Sequence, residues 1–213
     1  MSDRGRLWAW LAFVGLFAAA SYAARLTSGT PDRNILYTWS AFVLELVQLA
    51  IILGVVLMIA RGRPHGEYLG LRRPRSWRTA TWLVVLGIFA LAGIVAPFLN
   101  PGKEQGLVPT RWQPHHAAAF VANFLVIALL VPFSEEVTFR GLGYKLLERF
   151  GRPAAILLVG LTFGLAHGLV EALPVLVPFG AALAYVRART GSIYPGMIVH
   201  GVFNGLVLLA AVA

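Results

Sequence analysis

The chain has 213 residues, of which 58% are hydrophobic and only 13% charged, and its mean hydropathy is +0.74. Soluble domains carry roughly a quarter charged residues, so this composition excludes an ordinary soluble domain. The absence of cysteine excludes disulfides and thiolate metal sites, and the net charge of +9 lies in short segments between apolar runs rather than in a surface suited to nucleic acid.

Seven apolar stretches follow one another, at approximately 7–24, 35–60, 80–99, 117–150, 153–170, 173–189 and 193–212. Several reach the ~20 residues that span a bilayer, and none shows the in/out alternation of barrel strands. Backbone groups in lipid must be satisfied internally, which leaves helices. The sequence therefore reads as an all-α polytopic membrane protein of about seven transmembrane helices, one domain over 1–213, with its active site inside the helical bundle.

The first run follows Arg4 and Arg6 and resembles a signal peptide. It is long, however, and Ser21-Tyr22-Ala23-Ala24 is a poor cleavage site, so it is expected to span. The second carries Glu45 and Gln48, read as interhelical hydrogen-bonding groups. The loop from Arg61 to Arg78 is the most basic and suits anionic lipid headgroups. Trp77, Trp82 and Trp112 fall near expected interfaces, as aromatic belts do, and His115 and His116 read as interfacial loop residues. The fourth stretch is interrupted by Pro132, which frees a backbone carbonyl and predicts a kink. Gly160, Gly164 and Gly168 predict close helix packing.

Charge asymmetry sets an orientation. With the N-terminus inside, the inside segments hold Arg4, Arg6, Arg61, Arg63, Arg72, Arg73, Arg75, Arg78, Lys145, Arg149, Arg152, Arg187 and Arg189. The outside ones hold only Arg25, Arg33, Lys103 and Arg111. This predicts a cytoplasmic N-terminus. The compact, Ala/Leu/Arg-rich chain suggests a bacterial plasma (inner) membrane.

Against this apolar background stand Glu135-Glu136-x-x-x-Arg140, Phe163-x-x-x-His167 and His200-x-x-x-Asn204. An ionisable residue at membrane depth costs about 2.5–3.5 kcal/mol on insertion scales and usually marks function. Glu136 and Arg140 are four apart and can pair, whereas Glu135 is turned about 100° away. Phe163 shares a face with His167, and His200 with Asn204. Counted from the nearest helix turns, the polar groups lie roughly 15–22 Å deep from one side. Three helices thus bring them to one level.

A carboxylate and an imidazole can deprotonate a water, and a second imidazole with a side-chain amide can donate to an oxyanion. That set suffices for peptide hydrolysis. Glu135, His167 and His200 would alternatively make a zinc set, although no His-Glu-x-x-His is present. Taken singly, each histidine reads as a packed structural residue; the conjunction of three clusters favours a site. A non-enzymatic membrane immunity or scaffold protein is the rival from another class. A transporter would predict repeat symmetry, which the sequence lacks.

In these three motifs, in this order, the sequence resembles the CPBP family of CAAX proteases and bacteriocin-processing enzymes, also called the Abi family. The resemblance covers roughly 117–205, the expected catalytic core. It implies an intramembrane endopeptidase acting on a membrane-anchored or lipid-modified peptide or protein, in a lipid environment. By resemblance Glu135 is the water-activating glutamate and His167 its partner. His200 and Asn204 are the oxyanion-stabilising pair, and Glu136 and Arg140 are supporting positions. No cofactor is favoured, with zinc as the alternative.

Overall fold

A computed structural model describes residues 1–28, 34–76, 111–210 and 212, with 82–83, 85–88, 90–91 and 93–94. The expected span 80–99 and Trp77 therefore lie largely or wholly outside the described residues. Within them the chain forms helices and turns with no strand: α1 (Asp3–Ser28), α2 (Trp39–Ala60), a long rod α3 (Pro114–Phe150), α4 (Arg152–Ala166), α5 (Leu173–Thr190) and α6 (Tyr194–Ala210). Asp3–Thr27, Trp39–Ala60 and Pro114–Phe150 are long and apolar enough to cross a membrane, while Arg152–Ala166 and Tyr194–Ala210 are shorter apolar helices. The molecule is an all-α integral membrane protein.

Its apolar surface faces outward. Leu44, Val47, Ile51 and Met58 on α2, Leu157 and Leu161 on α4, and Val202, Leu206 and Leu209 on α6 are exposed. Glu136, Arg140, Ser134 and His200 are buried. Lipid rewards this arrangement, because polar groups in the membrane turn to the bundle interior.

The α3 rod changes register around its proline. Val126–Leu130 and Glu136–Gly143 are π-helical and flank the α-helical Val131–Glu135. Around the proline where the sequence predicts a kink, the chain inserts wide turns. Such π turns often accompany functional sites. Buried Asn123 pins α3 to the start of α2, donating to Leu36 O at 3.1 Å, Thr38 O at 3.0 Å and Ala119 O at 2.9 Å.

Small residues let α4 and α5 touch. A Cβ added to Gly160 would fall 2.7 Å from Val177 O, and one on Gly164 would fall 2.6 Å from a Val177 methyl. Gly168 differs from the expected packing stripe. Helix α4 stops at Ala166, short of the expected 170, and Gly168 follows in a left-handed turn at φ +66°, pressed on Ser21 of α1. At 15 residues, α4 is about 22 Å long, less than the ~30 Å hydrocarbon core.

The basic segments gather at one end. Arg6 donates to the carbonyls of Ile59 and, at 2.9 Å, Arg61. Arg63 pairs with Asp3 at 2.6 Å. Arg75 N–H donates to Thr190 O at 2.8 Å and Ile193 N–H to Gly70 O at 3.1 Å.

Candidate active site

The two adjacent carboxylates of α3 have different surroundings. Glu136 Oε1 lies 3.0 Å from Arg140 Nη1, with both side chains wholly buried. Arg140 also donates to Gly180 O of α5 at 3.3 Å, and its guanidinium carbon stands 4.1 Å from the centre of the Phe163 ring. This group joins α3, α4 and α5. Gly196 of α6 completes it from the other side, since a Cβ there would fall 2.6 Å from Glu136 Oε2.

Glu135 faces two imidazoles. His167 Nε2 lies 3.7 Å from its Oε1 and His200 Nε2 lies 3.3 Å from its Oε2. The latter contact is off the line of a hydrogen bond, so among the described residues Glu135 Oε2 has no formal partner. His167 closes α4, and its Nδ1 lies 2.8 Å from Phe163 O. A carbonyl only accepts, so Nδ1 carries the hydrogen and Nε2 of the neutral ring presents its lone pair. His200 Nδ1 lies 3.4 Å from Glu136 Oε1, so this ring bridges the neighbouring carboxylates. Three of the four expected catalytic residues therefore meet.

Asn204 has a different contact. Its Nδ2 donates to Ile127 O at 3.0 Å. Val131 N–H bonds back five residues to Val126 O, and Pro132, next in that register, has no N–H for Ile127. The amide of α6 supplies the missing donor, which leaves one Nδ2 hydrogen for another acceptor. The neighbouring Ala128 O meets Gly201, where a Cβ would fall 2.6 Å away.

A cavity of about 400 Å³ opens beside Glu135 and His167, walled by α1, α2, α3 and the end of α4. Glu45, Gln48 and Arg25 also line it. The expected interhelical hydrogen bonds of Glu45 and Gln48 are not present among the described residues; their side chains turn to the cavity. Sequence reasoning missed Arg25 and Asn123 as well. Arg25 had a signal, since it shares one face of α1 with Phe17 and Ser21, which also line the cavity. Among the described residues, no group of three His, Asp or Glu side chains is arranged to hold a metal ion.

Comparison with known proteins agrees with the motifs. Residues 117–206 match the family described as type II CAAX prenyl endopeptidase Rce1-like. Neither curated proteins nor solved structures gave a significant match. The matched stretch runs from α3 into α6 and holds all seven motif residues, from Glu135 to Asn204. Over this stretch, which is less than half of the chain, the protein is similar to the Rce1-like CAAX prenyl endopeptidases.

Proposed function

We propose that this protein is a glutamate-type intramembrane endopeptidase that cleaves a membrane-associated, lipid-modified peptide with a water activated by Glu135 and His167. The supporting observation is the Glu135 carboxylate, which lies between two histidine Nε2 atoms at the wall of a membrane-embedded cavity. Glu135 Oε1 and the lone pair on His167 Nε2 are both acceptors, 3.7 Å apart. One water can donate to both. As the water oxygen bonds the scissile carbonyl carbon, its proton passes to this pair and then to the leaving amine as the C–N bond breaks.

His200 and the second Nδ2 hydrogen of Asn204 are assigned to the developing oxyanion. Glu136 and Arg140 are supporting residues that hold α3, α4 and α5 around the reacting groups. The single domain covers 1–213, and its catalytic core is 117–205. The N-terminus is cytoplasmic in a bacterial inner membrane.

Hydrolysis of a lipid-modified peptide by purified Glu135→Gln and His167→Ala proteins tests the mechanism. Each should lose roughly 10²–10⁴-fold in kcat, the usual contribution of a positioned general base. Cleavage at the parent rate by either variant overturns it.

A zinc-dependent version of the same protease is the second reading. His167 presents a ligand-type Nε2 whose Nδ1–H is anchored, as in many metal sites. Metal analysis, with activity after chelation, separates the two readings. Full activity of metal-free protein excludes zinc.

A further inference from the structure

The cavity beside Glu135 contains a cation that this mechanism does not use. Arg25 lines it, and among the described residues Arg25 Nη1 is buried without a hydrogen-bond partner. Among the described residues, no carboxylate stands within ion-pair distance of it, not even Glu45 in the same cavity. A buried donor without an acceptor is costly, and the guanidinium fork matches a carboxylate.

Depth fixes where such a carboxylate would sit. Phe13, Phe17, Ser21 and Arg25 recur every four residues on α1, and all line the cavity. Ser21 marks the level of His167, because the next residue, Gly168, packs so closely that an added Cβ would fall 2.7 Å from Ser21 Cβ. Arg25 is one turn beyond, about 6 Å along the axis. An extended peptide rises about 3.3 Å per residue, so a carboxylate on Arg25 brings a peptide bond about two residues back to the level of His167.

We propose that Arg25 is a specificity-determining residue that binds the C-terminal carboxylate of the peptide substrate and so directs cleavage close to that terminus. The proposal rests on the endopeptidase reading of the site. It assigns to α1, outside the matched family segment, the task of measuring distance from the chain end.

The test uses full-length protein in phosphatidylcholine vesicles. The probe is a fluorescence-quenched peptide ending in a prenylated CAAX tetrapeptide, made as the free acid, as the C-terminal amide, and as an amide carrying a terminal aspartate. The parent should cleave the free acid with a KM roughly ten- to a hundred-fold below that of the plain amide, the range for a hydrogen bond to a charged group. Arg25→Ala should raise KM for the free acid to the amide's value with kcat little changed, and Arg25→Lys should restore part of the difference. Equal KM values for acid and amide in the parent, or an unchanged KM for Arg25→Ala, overturn the proposal. The aspartate amide cleaved as well as the free acid overturns the terminal assignment. Preference for the free acid retained in Arg25→Ala, with binding to phosphatidylglycerol vesicles lost, makes Arg25 a lipid-phosphate contact and also overturns it.

Binding of the same peptides to Glu135→Gln protein separates the two claims. Discrimination between acid and amide that depends on Arg25 supports the anchor even where no cleavage occurs. Binding without discrimination overturns it while leaving the peptidase reading intact.

Discussion

At the residue scale, the adjacent carboxylates should respond oppositely to the same substitution. Glu135 borders the cavity, so Glu135→Gln should remove activity and leave thermal unfolding in detergent within a few degrees of the parent. Glu136 is buried against Arg140. Glu136→Gln leaves that guanidinium uncompensated, a change that costs about 3–5 kcal/mol in buried pairs. Its unfolding temperature should therefore fall well below that of Glu135→Gln; equal temperatures would sink the division of labour. Asn204 raises a finer question, because it serves a carbonyl left open by Pro132. Losing that donor should cost on the order of 1–3 kcal/mol. In a Pro132→Ala background the helix regains an N–H, and the loss should shrink. A double-mutant cycle on unfolding free energies should show coupling of about 0.5 kcal/mol or more. Additive effects would mean that Asn204 and Pro132 act independently.

At the element scale, the sequence defined most helix limits because apolar runs end where charges begin. It also separated Glu136 from Glu135, since helical spacing alone pairs Glu136 with Arg140. It could not reveal the π-helical turns of α3, because Val126–Leu130 is apolar in either register. Nor could it reveal that Gly168, just past the end of α4 at Ala166, packs on Ser21 of a helix distant in sequence. The α4–α5 contact yields a contrast between two glycines. A Cβ on Gly160 meets the backbone oxygen of Val177 at 2.7 Å, which cannot move without moving α5. Gly160→Ala should destabilise by about 1–3 kcal/mol, the usual cost of overpacking. Gly54, inside α2, has nothing among the described residues within 4 Å of the added atom. Gly54→Ala should leave unfolding unchanged or raise its temperature slightly. Equal losses in both would mean that the contact between α4 and α5 is looser than its geometry indicates.

At the scale of the whole molecule, the orientation in the membrane decides from which side a substrate meets the cavity. Arg6, Arg61, Arg63, Arg72 and Arg75 lie at one end of the bundle, tied there by bonds between the start of α1, the end of α2 and the turn between α5 and α6. Arg25 lies at the opposite end of α1. Basic residues in short loops are retained on the cytoplasmic side, so the arginine-rich end should face the cytoplasm. Glu135 lies 15 residues before Phe150, and His167 15 residues after Arg152, both counted from that end. The reacting groups should thus sit about 22 Å from the cytoplasmic turns, with Arg25 nearer the other face. Reporter fusions test this directly. A fluorescent protein that folds only in the cytoplasm should be bright when fused to the N-terminus. Alkaline phosphatase, active only after export, should be active when inserted after Ser28 and inactive when inserted after Arg63. The reverse pattern would invert the molecule and place Arg25 on the cytoplasmic side, so a peptide terminus would have to reach the carboxylate anchor from the cytoplasm.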